Sequence, residues 1–212
     1  MAMKKTFVLV VLFILPLVAY LFFASGVNNF GKLPVLTAQI DDISTLDNSV
    51  TLNDKITILG FLGRDAALKK GNAFNLNQKI YKRFYEFKDF QMVMVMPVGT
   101  DSVVQEIKKE LNNLTDASNW KFIYATDSDI EKYYKSLQTD VPLDADMGTP
   151  YVFIIDKDKN LRGRKNDEDE GTKYGFNTTS VAELNNKMED DVKIILAEYR
   201  LALKKNNAKR SN

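Results

Sequence analysis

The sequence predicts an α/β domain, a sheet flanked by crossover helices with an antiparallel edge, preceded by one N-terminal transmembrane helix. Three observations predict it. Residues 7–24 form an unbroken apolar run. Short stretches rich in β-branched and aromatic residues begin at Ile56, Phe90, Trp120 and Tyr151, each the length of a buried strand rather than a helix. Between them, apolar residues recur at three- and four-residue spacing, and strands alternating with helices indicate crossover connections in a sheet.

The apolar run comes first. At about 1.5 Å per residue it makes a helix of about 27 Å, close to the ~30 Å hydrocarbon core of a bilayer. Lys4 and Lys5 precede it and the next charge is Lys32. The positive-inside rule therefore predicts a single pass through the cytoplasmic (inner) membrane, with residues 1–6 cytoplasmic and the C-terminal domain periplasmic or otherwise extracytoplasmic. Tyr20, Phe22 and Phe23 fall near the outer interface, and Pro16 is tolerated inside a span. A cleaved signal peptide shares the basic start and apolar core, and Ala24-Ser25-Gly26 offers a small-residue cleavage site. Both readings put the remainder outside the cytoplasm.

Residues 25–53 are polar, with scattered apolar positions, and read as a tether containing one short edge strand. The exported domain is expected over 54–205. Its elements are a strand at 56–61, a helix over 74–87 (Leu76, Ile80, Phe84, Phe87), a strand at 90–97 and a helix marked by Val103, Val104, Ile107 and Leu111. A strand at 120–125 follows, then a helix bearing Ile130, Tyr133, Tyr134 and Leu137, entered through Thr126-Asp127-Ser128-Asp129, a capping sequence. The strand at 151–155 turns at 156–160 into 161–164. Ser180 caps a last amphipathic helix with Val181, Leu184, Met188, Val192, Ile195, Tyr199 and Leu203 on one face. Residues 206–212 form a polar, basic tail.

Composition removes several function classes. Lys and Arg number 29 against 28 Asp and Glu, so no net field recruits nucleic acid. There is no cysteine, hence no thiol–disulfide chemistry and no thiolate ligand. There is no histidine either, which removes the usual general base, a Ser–His triad and the commonest metal ligand. No phosphate-cradling glycine loop is present. No cofactor is expected.

Gly148-Thr149-Pro150, leading directly into the strand that ends at Asp156, resembles the thioredoxin superfamily, in which this proline is typically cis. Trp120 to Thr126 with Ile130 and Tyr134, and Asp156, Asp158 and Leu161, are similar to the Sco/SenC branch, the anchored copper chaperones of cytochrome oxidase assembly. The likeness runs over 56–164. It implies a thioredoxin-like fold and an association with respiratory-complex assembly. The family's Cys-x-x-x-Cys would fall at Arg64 and Leu68 and its histidine at Gly148, so all three copper ligands are replaced and the resemblance implies neither copper transfer nor disulfide reduction here.

A binding role remains: a scaffold, accessory subunit or assembly factor whose partner is a membrane or exported protein, met through Arg64, Asp65, Met147, Thr149 and Pro150, with the bilayer itself met through 7–24. Two further classes stay open. Met92, Met94 and Met96 alternate on one side of a strand and could bind Cu(I), although methionine is also a common core filler. A non-redox enzyme would have to be built from carboxylates, Arg64 and tyrosines. Arg64 and Asp65 read as a solvated pair, and 167–170 as a solvated acidic loop without the spacing of a calcium site. Tyr81 and Tyr85 are expected in the core, with a docking face as the alternative.

Overall fold

The computed structural model describes residues 2–24 and 31–210. They divide into two units at Gly31. The first holds helix α1, Ala2–Ala24, with Pro16 inside it. Its side chains are described over 7–21, a stretch of about 22 Å, and among the described residues no helix is long and apolar enough to cross a membrane. The small-residue site at Ser25 and Gly26 and the aromatic side chains of Phe22 and Phe23 lie outside what is described.

In the second unit, Ile56–Leu62 (β2) is buried along its whole length, as are Phe90–Pro97 (β3) and most of Trp120–Ala125 (β4). β2 pairs parallel with β3, and β3 parallel with β4. Gly148–Ile155 (β5) lies antiparallel on the other side of β2. Leu161–Arg162 (β6) returns antiparallel to it, and Val35–Thr37 (β1) closes that edge. Phe176–Asn177 (β9) also pairs with β5, and Arg164–Asp167 (β7) and Gly171–Lys173 (β8) form a separate ribbon. Two parallel strands joined by a helix, an antiparallel hairpin and a final helix make this a thioredoxin-like domain.

The helices cover both faces. Helix α2 (residues 70–84) starts as Lys70–Leu76 and passes through a π turn at Asn77–Tyr81. Helix α3 is Asp101–Leu114. Both pack on one face with α5 (181–210), capped by the Ser180 hydroxyl, which accepts from the Glu183 amide. Helix α4, Asp127–Ser136, covers the opposite face and is capped by Thr126. Alternation in β3 divides its side chains between the layers: Met92, Met94 and Met96 face α2, α3 and α5, while Val93 and Val95 face α4. All three methionines are fully buried, so they act as core fillers. Gly60 makes room for one of them, since a Cβ there would stand 2.7 Å from the Met94 sulfur.

Several expectations are corrected. The stretch expected as a tether packs into the domain from Leu33 onward, because Leu33, Ile40, Ile43 and Leu52 are buried and β1 pairs with β6. Widely spaced apolar residues in a polar stretch suffice for an edge strand and a one-turn cap. The Thr149–Pro150 bond is trans, since the described residues hold no cis peptide. Pro150 runs inside extended β5, and the sharp turn is made earlier, by Asp144 and by Met147 at φ 60°. Residues 167–170 are not a solvated loop throughout: the Asp167 carboxylate is buried and accepts from Lys187. Helix α5 continues to Arg210, into the stretch expected as tail. Tyr81 is fully buried and donates to the Asp116 carbonyl at 2.7 Å, which rules it out of a docking face.

Candidate functional site

Two loops meet where β2 ends and β5 begins. After Leu62 the chain turns at Gly63, whose φ of 75° suits a residue without a side chain. The Arg64 amide then donates to the Asp146 carbonyl at 2.9 Å. Opposite, Asp144 organises its own turn: its Oδ1 accepts from the amides of Asp146 (2.9 Å) and Gly148 (2.8 Å). Met147 is held left-handed, a conformation that costs a non-glycine residue about 1–2 kcal/mol. The close approach fixes two glycines. A Cβ on Gly63 would lie 2.8 Å from the Asp146 carbonyl, and one on Gly148 would lie 3.0 Å from the Leu62 carbonyl and 2.9 Å from Lys69 Nζ.

Ion pairs fill the space between the loops. Lys69 Nζ stands 2.7 Å from Asp65 Oδ1 and 2.6 Å from Asp144 Oδ2, and the Arg64 guanidinium pairs with Asp127 at the start of α4. Burial alone would lower the Lys69 ammonium, but its bonds to Asp144 and Asp65 outweigh that and hold it above its ordinary value. For Asp144, burial pushes upward and is overcome by Lys69 and the Gly148 amide, so the carboxyl sits below its ordinary range. Both therefore stay charged near neutral pH and neither is poised for proton transfer.

The expected residues are brought together unevenly. Arg64, Asp65 and Met147 share the rim, with Arg64 exposed and the other two half-buried. Thr149 is buried, and the Pro150 carbonyl accepts from the amide (2.9 Å) and hydroxyl (2.6 Å) of Thr178. Those two belong to the sheet more than to a surface. Leu68 is 87% exposed. At the three positions of the family's copper ligands stand a guanidinium, a solvent-facing isobutyl group and a glycine with no room for a side chain, so the residues present do not fit copper.

Beside this rim lies a feature that the motif reading missed. A cavity of about 340 Å³ is lined by Asp140, Val141, Pro142, Tyr151, Glu170, Thr172 and Tyr174. Its Val141, Tyr151 and Tyr174, like Leu143 and Met147 of the neighbouring loop, pack half-buried against the core beneath α4. Asp140 is exposed at the cavity edge, and Glu170 accepts from Lys173 at 2.6 Å. The available signal was Val141 and Leu143 alternating within an otherwise polar loop, but Tyr174 reaches the cavity only through the β7–β8 ribbon.

No protein-family model matches the chain, and no curated protein matches its sequence. Among solved structures it is similar to a Sco-family cytochrome c oxidase assembly protein, at 12% identity, with 76% of this chain and 95% of that one covered and a TM-score of 0.48. It is similar to copper-bound ScoI of Bradyrhizobium japonicum at 14% identity, covering 78% of this chain and 99% of that one, with a TM-score of 0.40. The thioredoxin domain of a thiol-disulfide oxidoreductase from Bacteroides vulgatus shares 15% identity over 78% of this chain and 98% of that one, at a TM-score of 0.42.

Proposed function

We propose that this chain is a thiol-free thioredoxin-like domain, held at a membrane by residues 7–24, that works by binding another membrane or exported protein as an accessory or assembly factor. The observation that carries the reading is the strip from Met147 through Tyr151 to Tyr174, with its cavity, beside a cleft stopped by ion pairs. Half-buried aromatic and aliphatic groups around a pocket suit a protein anchor residue. Asp140 at the cavity edge, with two tyrosine faces, favours a basic anchor side chain. Anchoring raises the effective concentration of a membrane partner. The Sco-like resemblance over 56–164 directs the search for that partner toward respiratory-complex assembly.

The test is recovery of partners with the full chain at endogenous level. In the Arg64→Glu/Met147→Asp variant, recovery is expected to fall at least tenfold while the thermal melt stays in place. Undiminished recovery from a folded double variant would contradict the rim as the binding surface.

A further inference from the structure

At the opposite end of the sheet, where β2 and β3 begin, lies a second cavity of about 270 Å³. Ile56, Phe87, Phe90 and Leu196 form its apolar floor, and Lys88, Lys157, Tyr199 and Arg200 line its rim. Phe87 is 46% exposed, large for an aromatic ring beside three cations. Lys88 and Arg200 are exposed. Asp89, the acidic member of the lining, is already engaged by Lys157 and Lys55. Helix α5 continues beyond Arg200 to Arg210, and that stretch adds Lys204, Lys205, Lys209 and Arg210 with no acidic residue.

The same end receives the chain from its N-terminal side. The Leu33 amide donates to Glu198 Oε1 at 3.0 Å, and the Leu33 carbonyl accepts from Arg162, which places the first residues of the domain beside the turn of α5 that carries Tyr199 and Arg200.

We propose that this pole docks on a bilayer rich in anionic phospholipid, with Phe87 and the Tyr199 ring at interface depth and Lys88 and Arg200 on the headgroups; the inference rests on the anchor reading above. Aromatic rings favour the interface and clustered cations favour anionic lipid. Charge and connectivity agree on one end of the domain. The consequence is orientation: the cleft and the Tyr174 strip stand about 20 Å further from the bilayer, the length of β2, facing outward.

Because the chain has no cysteine, single labels test this directly. The full chain, carrying a fluorophore on Glu86→Cys or on Leu68→Cys at the other end, is reconstituted into vesicles containing headgroup-level nitroxide lipid. With phosphatidylglycerol present, the Glu86 label is expected to be quenched several-fold more than the Leu68 label. Lys88→Glu/Arg200→Glu, high salt, or phosphatidylcholine alone should each erase the difference. Equal quenching at both ends, none at Glu86, or quenching at Glu86 indifferent to lipid charge overturns the docking. Flotation separates the two readings: a chain that fails to float with phosphatidylcholine vesicles in high salt loses the anchor, and the docking with it. A chain that floats without quenching at Glu86 loses the docking alone.

Discussion

Charged residues are used in two ways in this domain, and the contrast separates what holds the fold from what is free to act. Under α5 they are desolvated. Arg162 (side chain 7% exposed) meets Asp156 (1%) at 2.8 Å and Glu198 at 2.8 Å, and also donates to the Leu33 carbonyl. Arg164 holds Asp191 through two bonds of 2.8 and 2.9 Å, and fully buried Lys173 stands between Glu170 and Glu183. Around the cleft the carboxylates are wet: Asp127, Asp144 and Asp65 are 42%, 43% and 30% exposed, against 1% for Asp156 and 3% for Asp191. Breaking a buried pair strands a charge away from water, whereas an exposed pair trades partners with solvent or another protein at little cost. The first set is scaffold, and the second is available for binding.

Substitutions break or sharpen that contrast. The largest effect is expected for Arg162→Met, which leaves Asp156 and Glu198 uncompensated and unties Leu33 from the sheet edge. A loss of about 3–5 kcal/mol in denaturant unfolding is expected; a loss no greater than that of an exposed pair would remove the distinction between the two sets. Next comes Gly148→Ala. The cleft's side chains are exchangeable but its backbone is not, and the added Cβ pushes into Lys69 Nζ and the Leu62 carbonyl. About 1–3 kcal/mol is expected in denaturant unfolding, as for other overpacked sites; an unchanged stability would show that the backbone of the cleft yields.

The smallest effect concerns acid. The folded Asp144 carboxyl lies below its ordinary value, so its stabilising contribution is present above the unfolded pKa of about 3.9 and is lost as pH falls through the folded value. Its side chain is 43% exposed, so screening limits the contribution to under about 1 kcal/mol. Asp144→Asn should reduce the loss of stability between pH 5 and 2 without changing stability at pH 7 by more than this amount; an unchanged acid profile would show that the pair with Lys69 contributes nothing.

How much of this was legible in the sequence follows from the range of the forces involved. Strands β2, β3 and β4 announce themselves because residues such as Phe61 and Val93 are buried on both faces of a sheet and must be apolar. Thr126 and Ser180 mark helix starts because capping is local. Gly148 stands out in the sequence only through its motif, because the reason for glycine, the approach of Leu62 and Lys69, is a contact across the fold. The ribbon that leads into Tyr174 was missed because strands of four and three residues leave little periodicity, and the acidic run at 167–170 hid a carboxylate whose partner, Lys187, is twenty positions away. The proline motif drew attention to the right place with the wrong peptide geometry, since Asp144 and Met147 already make the turn.

The central claim is that partners meet the wet end of the domain through the Met147–Tyr174 strip. A photo-crosslinking amino acid placed at Tyr174, with exposed Gln105 on the outer face of α3 as the comparison, reads this most directly in native membranes. The account predicts one discrete adduct from Tyr174, none from Gln105, and loss of the Tyr174 adduct when Asp140→Lys reverses the charge at the cavity edge. Adducts of equal yield from both positions, or a Tyr174 adduct indifferent to Asp140→Lys, would contradict it.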